Sequence, residues 1–63
     1  MIKVSTLTGA PFVINCEHIE KIEQIPETVI TLTNGKKYLV KEDTDEVIKK
    51  IIEYKNKIFN MNF

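Results

Sequence analysis

The sequence predicts a small α+β domain, mainly β: an antiparallel sheet of about five strands, built from two β-hairpins and a connecting strand, followed by one C-terminal helix. Three observations carry this reading. Apolar and polar residues alternate with period two over Ile2–Leu7, and the segments around both glycine turns read as hairpin strands. Glycine occurs twice, each time inside a turn-forming pair, and the last twenty residues switch to a helical apolar spacing behind an acidic cap. At 63 residues the chain makes one domain, residues 1–63. A chain this short buries only about 60% of the surface its unfolded form exposes, so its stability is marginal.

The first strand is expected over 2–7, where Ile2, Val4 and Thr6 alternate with Lys3, Ser5 and Leu7. Thr8-Gly9 supplies the turn and the return strand covers 11–15. A two-residue turn there sets Val4 opposite Val13 and Ser5 opposite Phe12. Pro11 lies near the turn, where its missing backbone donor is tolerated. Between Asn15 and Pro26 the isoleucines at 19, 22 and 25 fit a helix, while Ile19, Lys21 and Glu23 also permit an extended chain. Length and Pro26, which disfavours a helical residue before it, select a turn near Asn15 to His18 and a strand over 19–25.

Asn34-Gly35 reads as a type I′ hairpin turn joining strands 28–33 and 36–41, because both residues adopt positive φ cheaply. That turn pairs Thr33 with Lys36, Thr31 with Tyr38, Ile30 with Leu39 and Val29 with Val40. One face then carries Ile30, Leu32 and Leu39, the other Val29, Thr31, Tyr38 and Val40. The helix is expected over 44–59: Asp43 caps it, Glu46 reaches back in a capping box, and Asp45 and Glu46 complement its positive end. Val47, Ile48, Ile51, Ile52, Tyr54, Ile58 and Phe59 form its apolar stripe. The two hairpin segments, VSTLTGAPFVI and VITLTNGKKYLV, align with one extra residue in the second turn, through duplication or through shared turn rules.

Little in the chain points to catalysis. Cys16 and His18 are two residues apart, but no second Cys or His completes a metal site or a nucleophile-base set, and one cysteine makes no intrachain disulfide. The carboxylates are dispersed, and those at 42 to 46 are accounted for by the helix start. Both glycines are committed to turns, which leaves none for a phosphate loop. The expectation is a protein that is not an enzyme, with no catalytic residue, cofactor or metal. Nine lysines balance nine acids, against the basic surplus of a general nucleic-acid binder. Lys36, Lys37 and Tyr38 at a hairpin tip are read as protection against edge pairing rather than as a nucleic-acid contact. No apolar run reaches the ~20 residues that span a bilayer, and a lone thiol without a secretion signal fits the cytoplasm.

The second hairpin is apolar on both faces, and one helix covers only one of them. Another surface must shield the rest, so self-association is expected, with a strongly curled monomer as the alternative. The interaction surface predicted is Val29, Thr31, Tyr38 and Val40. The Lys-rich helix end with Ile58, Phe59, Met61 and Phe63 suggests peripheral membrane contact as a weaker reading than packing of Ile58 and Phe59 in the core.

The chain also resembles the FlbD/SwrD family of small flagellar proteins over nearly its whole length. The resemblance lies in Leu7-Thr8-Gly9 with Phe12-Val13-Ile14, in Ile19-Glu20, Ile22-Glu23 and Pro26-Glu27-Thr28, in Thr31-Leu32 through Asn34-Gly35-Lys36-Lys37 to Val40-Lys41-Glu42, and in Asp45-Glu46-Val47-Ile48 with Ile51 and Tyr54. Ala10-Pro11 and Cys16-Glu17-His18 depart from the family pattern. The resemblance implies a cytoplasmic accessory of the bacterial flagellum that supports swarming motility and motor power, acting on the stator or its assembly, with no catalytic or cofactor residues to carry over. A small β-domain that binds RNA or DNA and regulates flagellar expression is the alternative.

Overall fold

Five strands and one long helix form where the alternation and the capping signals place them. The computed structural model describes residues 1–60. In order these are β1 (Ile2–Ser5), β2 (Pro11–Ile14), a short 3-10 turn (Cys16–His18), β3 (Ile19–Gln24), β4 (Thr28–Leu32), β5 (Lys37–Val40) and α1 (Thr44–Asn60). The strands divide into two antiparallel sheets, β1-β2 and β3-β4-β5. The Lys41 N–H donates to the Ser5 carbonyl across the gap at 2.9 Å, which brings the end of β5 beside β1.

Both hairpins turn differently from the two-residue loops expected. Thr6 N–H donates to the Ala10 carbonyl at 2.8 Å and Gly9 N–H to the Thr6 carbonyl at 2.9 Å; Leu32 with Lys36 and Gly35 with Leu32 repeat the pattern at 2.8 and 2.9 Å. Only the glycines have positive φ among the described residues, 96° at Gly9 and 89° at Gly35. Each loop therefore has three residues, a tight turn closed by a left-handed glycine. Asn34 does not have positive φ, which excludes the type I′ turn, and its Oδ1 accepts from Lys36 N–H at 3.0 Å.

The longer loop moves each register by one residue. Val4 pairs with Phe12 and Ser5 with Pro11, not with Val13 and Phe12. Ile30 pairs with Tyr38 and Val29 with Leu39, not with Leu39 and Val40. Such a slip exchanges the faces of one strand relative to the other, and the physical gain is clear. Ile2, Val4, Phe12 and Ile14 now share one face of the first hairpin, while Lys3 and Val13 point out together. In the second hairpin Lys37 leaves the side of Leu32 and joins Thr31 on the outer face, and Thr28, Ile30, Tyr38 and Val40 turn inward. The two hairpins correspond position for position, Gly9 to Gly35, Val4 to Ile30 and Phe12 to Tyr38, without the extra residue that the sequence comparison inserted.

Their inner faces meet. Ile2, Val4 and Ile14 of the first hairpin, Cys16, Ile30 and Val40, and Val47 of α1 make the buried core. Phe12 and Tyr38 contact across it with ring centroids 5.7 Å apart at a 41° tilt, a geometry that favours aromatic pairs. Each hairpin thus covers the other, in the manner of the curled-chain alternative. β3 adds a bulge between Ile19 and Lys21 that leaves Glu20 outside the ladder, and a cis Ile25–Pro26 bond lies in the turn to β4.

The helix starts as its sequence dictates. Glu46 N–H donates to Asp43 Oδ1 at 2.8 Å, and Asp43 N–H reaches Glu46 Oε1 at 3.4 Å, which closes the capping box. Thr44 N–H donates to Gln24 Oε1 at 3.2 Å and ties the helix start to β3. α1 then packs on β1 and β3 along Val47, Ile51 and Tyr54. The sheets leave part of the apolar stripe uncovered: Ile48 and Ile52 remain 45% and 54% exposed, and Ile58, in line with Tyr54, is 46% exposed rather than packed in the core.

Candidate interaction surface

The four residues predicted to form one docking face do not share one. In the observed register Val29 and Thr31 lie on the outer side of β4, whereas Tyr38 and Val40 point inward on β5. Val40 is buried in the core, and Tyr38 is half-buried against Phe12. Tyr38 thus lies on the opposite face from its neighbour Lys37 and is set against Phe12. Val29 is half-buried. Thr31 is only 5% exposed, and its hydroxyl has no hydrogen-bond partner among the described residues.

The other groups singled out in the sequence are separated or engaged. Asn15 Oδ1 accepts from Glu17 N–H at 3.0 Å and holds Cys16–His18 in a 3-10 turn. Two residues of such a turn do not share a face, so Cys16 enters the core and His18 stays exposed. Among the described residues no group of three His, Cys, Asp or Glu side chains converges to hold a metal ion. Glu42 binds within the fold: its carboxylate accepts from Ser5 N–H at 2.9 Å. Burial pushes its carboxyl upward, but the Ser5 and Glu42 backbone N–H groups, the Ser5 hydroxyl and nearby Lys50 outweigh burial and hold it below its ordinary value. Lys55 pairs with Glu17 at 3.2 Å, between exposed side chains, a contact worth little.

One concavity stands out. α1 follows β5, whose end lies beside Ser5, and packs on β1. A groove of about 510 Å³ opens between Met1, Ile2 and Lys3 on one wall and Lys50, Glu53, Tyr54 and Lys57 on the other. Met1, Ile2 and Tyr54 make part of its lining apolar and aromatic. Three lysines surround one glutamate, although the chain as a whole has no net charge. None of the three is within salt-bridge distance of a carboxylate among the described residues. The spacing of Lys50, Glu53, Tyr54 and Lys57 marks one side of a helix, and that much is present in the sequence. Nothing local to either segment signals that the start of β1 lies beside it.

Residues 1–59 match the family of flagellar and swarming motility proteins known as FlbD. The chain belongs to the FlbD family. No curated protein and no solved structure matches it. The FlbD match runs from the first strand to the last turn of α1, so it includes both glycine turns, the capping box and every groove residue. The role of an FlbD chain therefore lies in flagellar and swarming motility. No helix among the described residues is long and apolar enough to cross a membrane. The membrane-contact reading rests on Ile58, which is exposed, and on Phe59, Met61 and Phe63: the Phe59 side chain and residues 61–63 lie outside the described residues.

Proposed function

We propose that this FlbD protein is a non-enzymatic cytoplasmic accessory of the flagellum that supports swarming through motor power, acting by protein–protein contact with the stator or its assembly and by self-association. The observation that carries the reading is the family match across 1–59. Contact rather than chemistry is favoured by how the reactive side chains are used: Asp43 and Glu46 cap α1, Glu42 holds β1, and Cys16 packs in the core. Surface apolar residues support partner binding, chiefly Ile48 and Ile52 one helical turn apart on the outer side of α1.

The test is to delete the gene in a flagellated cell and measure torque per flagellum with tethered beads, beside flagellar number and flagellar protein levels. Lower torque at unchanged number and level is the expected result. Altered protein levels with normal torque per flagellum would instead favour the nucleic-acid reading and overturn this one.

A further inference from the structure

The alternation of hydrogen bonding along β1 leaves an edge free beside the groove. Thr6 bonds toward β2 through Ala10, so in an antiparallel ladder Val4 and Ile2 do the same, and Ser5 and Lys3 face the other way. Ser5 is satisfied there by Lys41 and Glu42. Among the described residues Lys3 has no such partner, and it lines the groove. A strand edge with an unpaired donor and acceptor is a template for an added extended chain.

The side chains around that edge define the chain it fits. Lys3, Lys50 and Lys57 offer three cations, none within salt-bridge distance of a carboxylate among the described residues although Lys50 also acts on Glu42, and the volume of about 510 Å³ falls in the usual range for ligand sites, roughly 300–1,000 Å³. An extended peptide projects side chains alternately to two sides. It can set carboxylates on the lysines and an apolar residue on Tyr54 and Ile2. Glu53, in the middle of the wall, opposes a continuous polyanion such as RNA or a lipid headgroup layer, but a peptide passes it with an uncharged residue.

We propose that this groove binds an extended acidic segment of a partner protein, added to the edge of β1 at Lys3 and held by Lys3, Lys50 and Lys57. It rests on the interaction role proposed above and narrows it to a partner chemistry.

The test uses the isotope-labelled full chain in solution, titrated with a synthetic peptide alternating Glu and Leu and with its Lys-for-Glu counterpart. Amide shifts confined to Met1–Ser5 and Lys50–Lys57, produced by the acidic peptide alone and weakened by salt, are expected. Lys3→Glu combined with Lys57→Glu alters two exposed positions and should weaken binding by about tenfold or more, with a dispersed spectrum confirming the fold; Lys57→Glu alone serves if the double variant unfolds. Equal response to both peptides, or none at millimolar peptide, overturns the proposal. So do shifts at these residues with poly(U) RNA or phosphatidylglycerol vesicles and not with the peptide. Broadening at these residues with protein concentration alone assigns the groove to a second copy and also overturns it. In cells the two readings separate. If deletion lowers torque but the double variant restores it fully, the groove is wrong and the motor role stands; if the peptide binds as expected but deletion leaves torque unchanged, the groove stands and the motor role fails.

Discussion

Thr31→Val should stabilise this protein, although it changes a residue in the middle of the second sheet. Thr31 lies on the central strand β4, opposite Lys21 on β3 and Lys37 on β5. It is 5% exposed, and its hydroxyl meets no donor or acceptor among the described residues. A buried hydroxyl without a partner costs about 1–3 kcal/mol. Valine keeps the β-branched shape and the strand preference while removing that cost. Taking the lower figure, about 1 kcal/mol, and an unfolding entropy of roughly 2.1 cal/mol/K per residue, the 63-residue chain should gain about 8 °C in Tm. Thermal unfolding followed by circular dichroism, at several protein concentrations, measures it. An unchanged or lowered Tm would refute the reasoning, because it would mean that the hydroxyl is satisfied in solution by water or by a second chain.

Other consequences follow from the same structure. Asp43→Ala removes the acceptor for Glu46 N–H and should cost about 1 kcal/mol, read as a lower denaturant midpoint; replacement by Asn should recover most of it. Gly9→Ala and Gly35→Ala meet no atoms within 4 Å but place alanine at φ 96° and 89°, so each should destabilise by about 1–2 kcal/mol and by similar amounts, since the turns are alike. Ile30→Ala, at a fully buried position, should cost about 2–5 kcal/mol, enough in so small a domain to lose the cooperative unfolding transition. Glu42 titrates below its ordinary value in the folded protein. Its stabilising effect is therefore fully present above the ordinary value of 4.5 and is lost as pH falls through the lower folded value. Glu42→Gln should flatten that acid limb of a Tm-against-pH curve; an identical slope in both proteins would show that the Ser5 contact does not form.

The elements that could be read from the sequence are those with a short-range cause. Alternation marks β1, the glycine turns mark the strands that flank them, and Pro26 ends β3 where the isoleucine spacing alone permits a helix. Asp43 and Glu46 close a capping box within one helical turn, so α1 begins at Thr44. The glycine turns are also local, but their length is not. Thr-Gly and Asn-Gly serve a two-residue or a three-residue loop, and the difference is one residue of register along the whole hairpin. The surface predicted at Val29, Thr31, Tyr38 and Val40 depended on that residue, and its face divides in the observed register. The groove had even less sequence signal, because Lys3 and Lys57 belong to opposite ends of the chain.

By itself the sequence determined the types and order of the elements, the turn positions and the cap, since each depends on backbone preferences settled among neighbouring residues. Only the tertiary structure decided the register, the division into two sheets and the meeting of β1 with α1. Those depend on which apolar faces can cover one another: Phe12 and Ile14 joining Ile2 and Val4, and Tyr38 meeting Phe12, are contacts between distant segments that no local preference encodes.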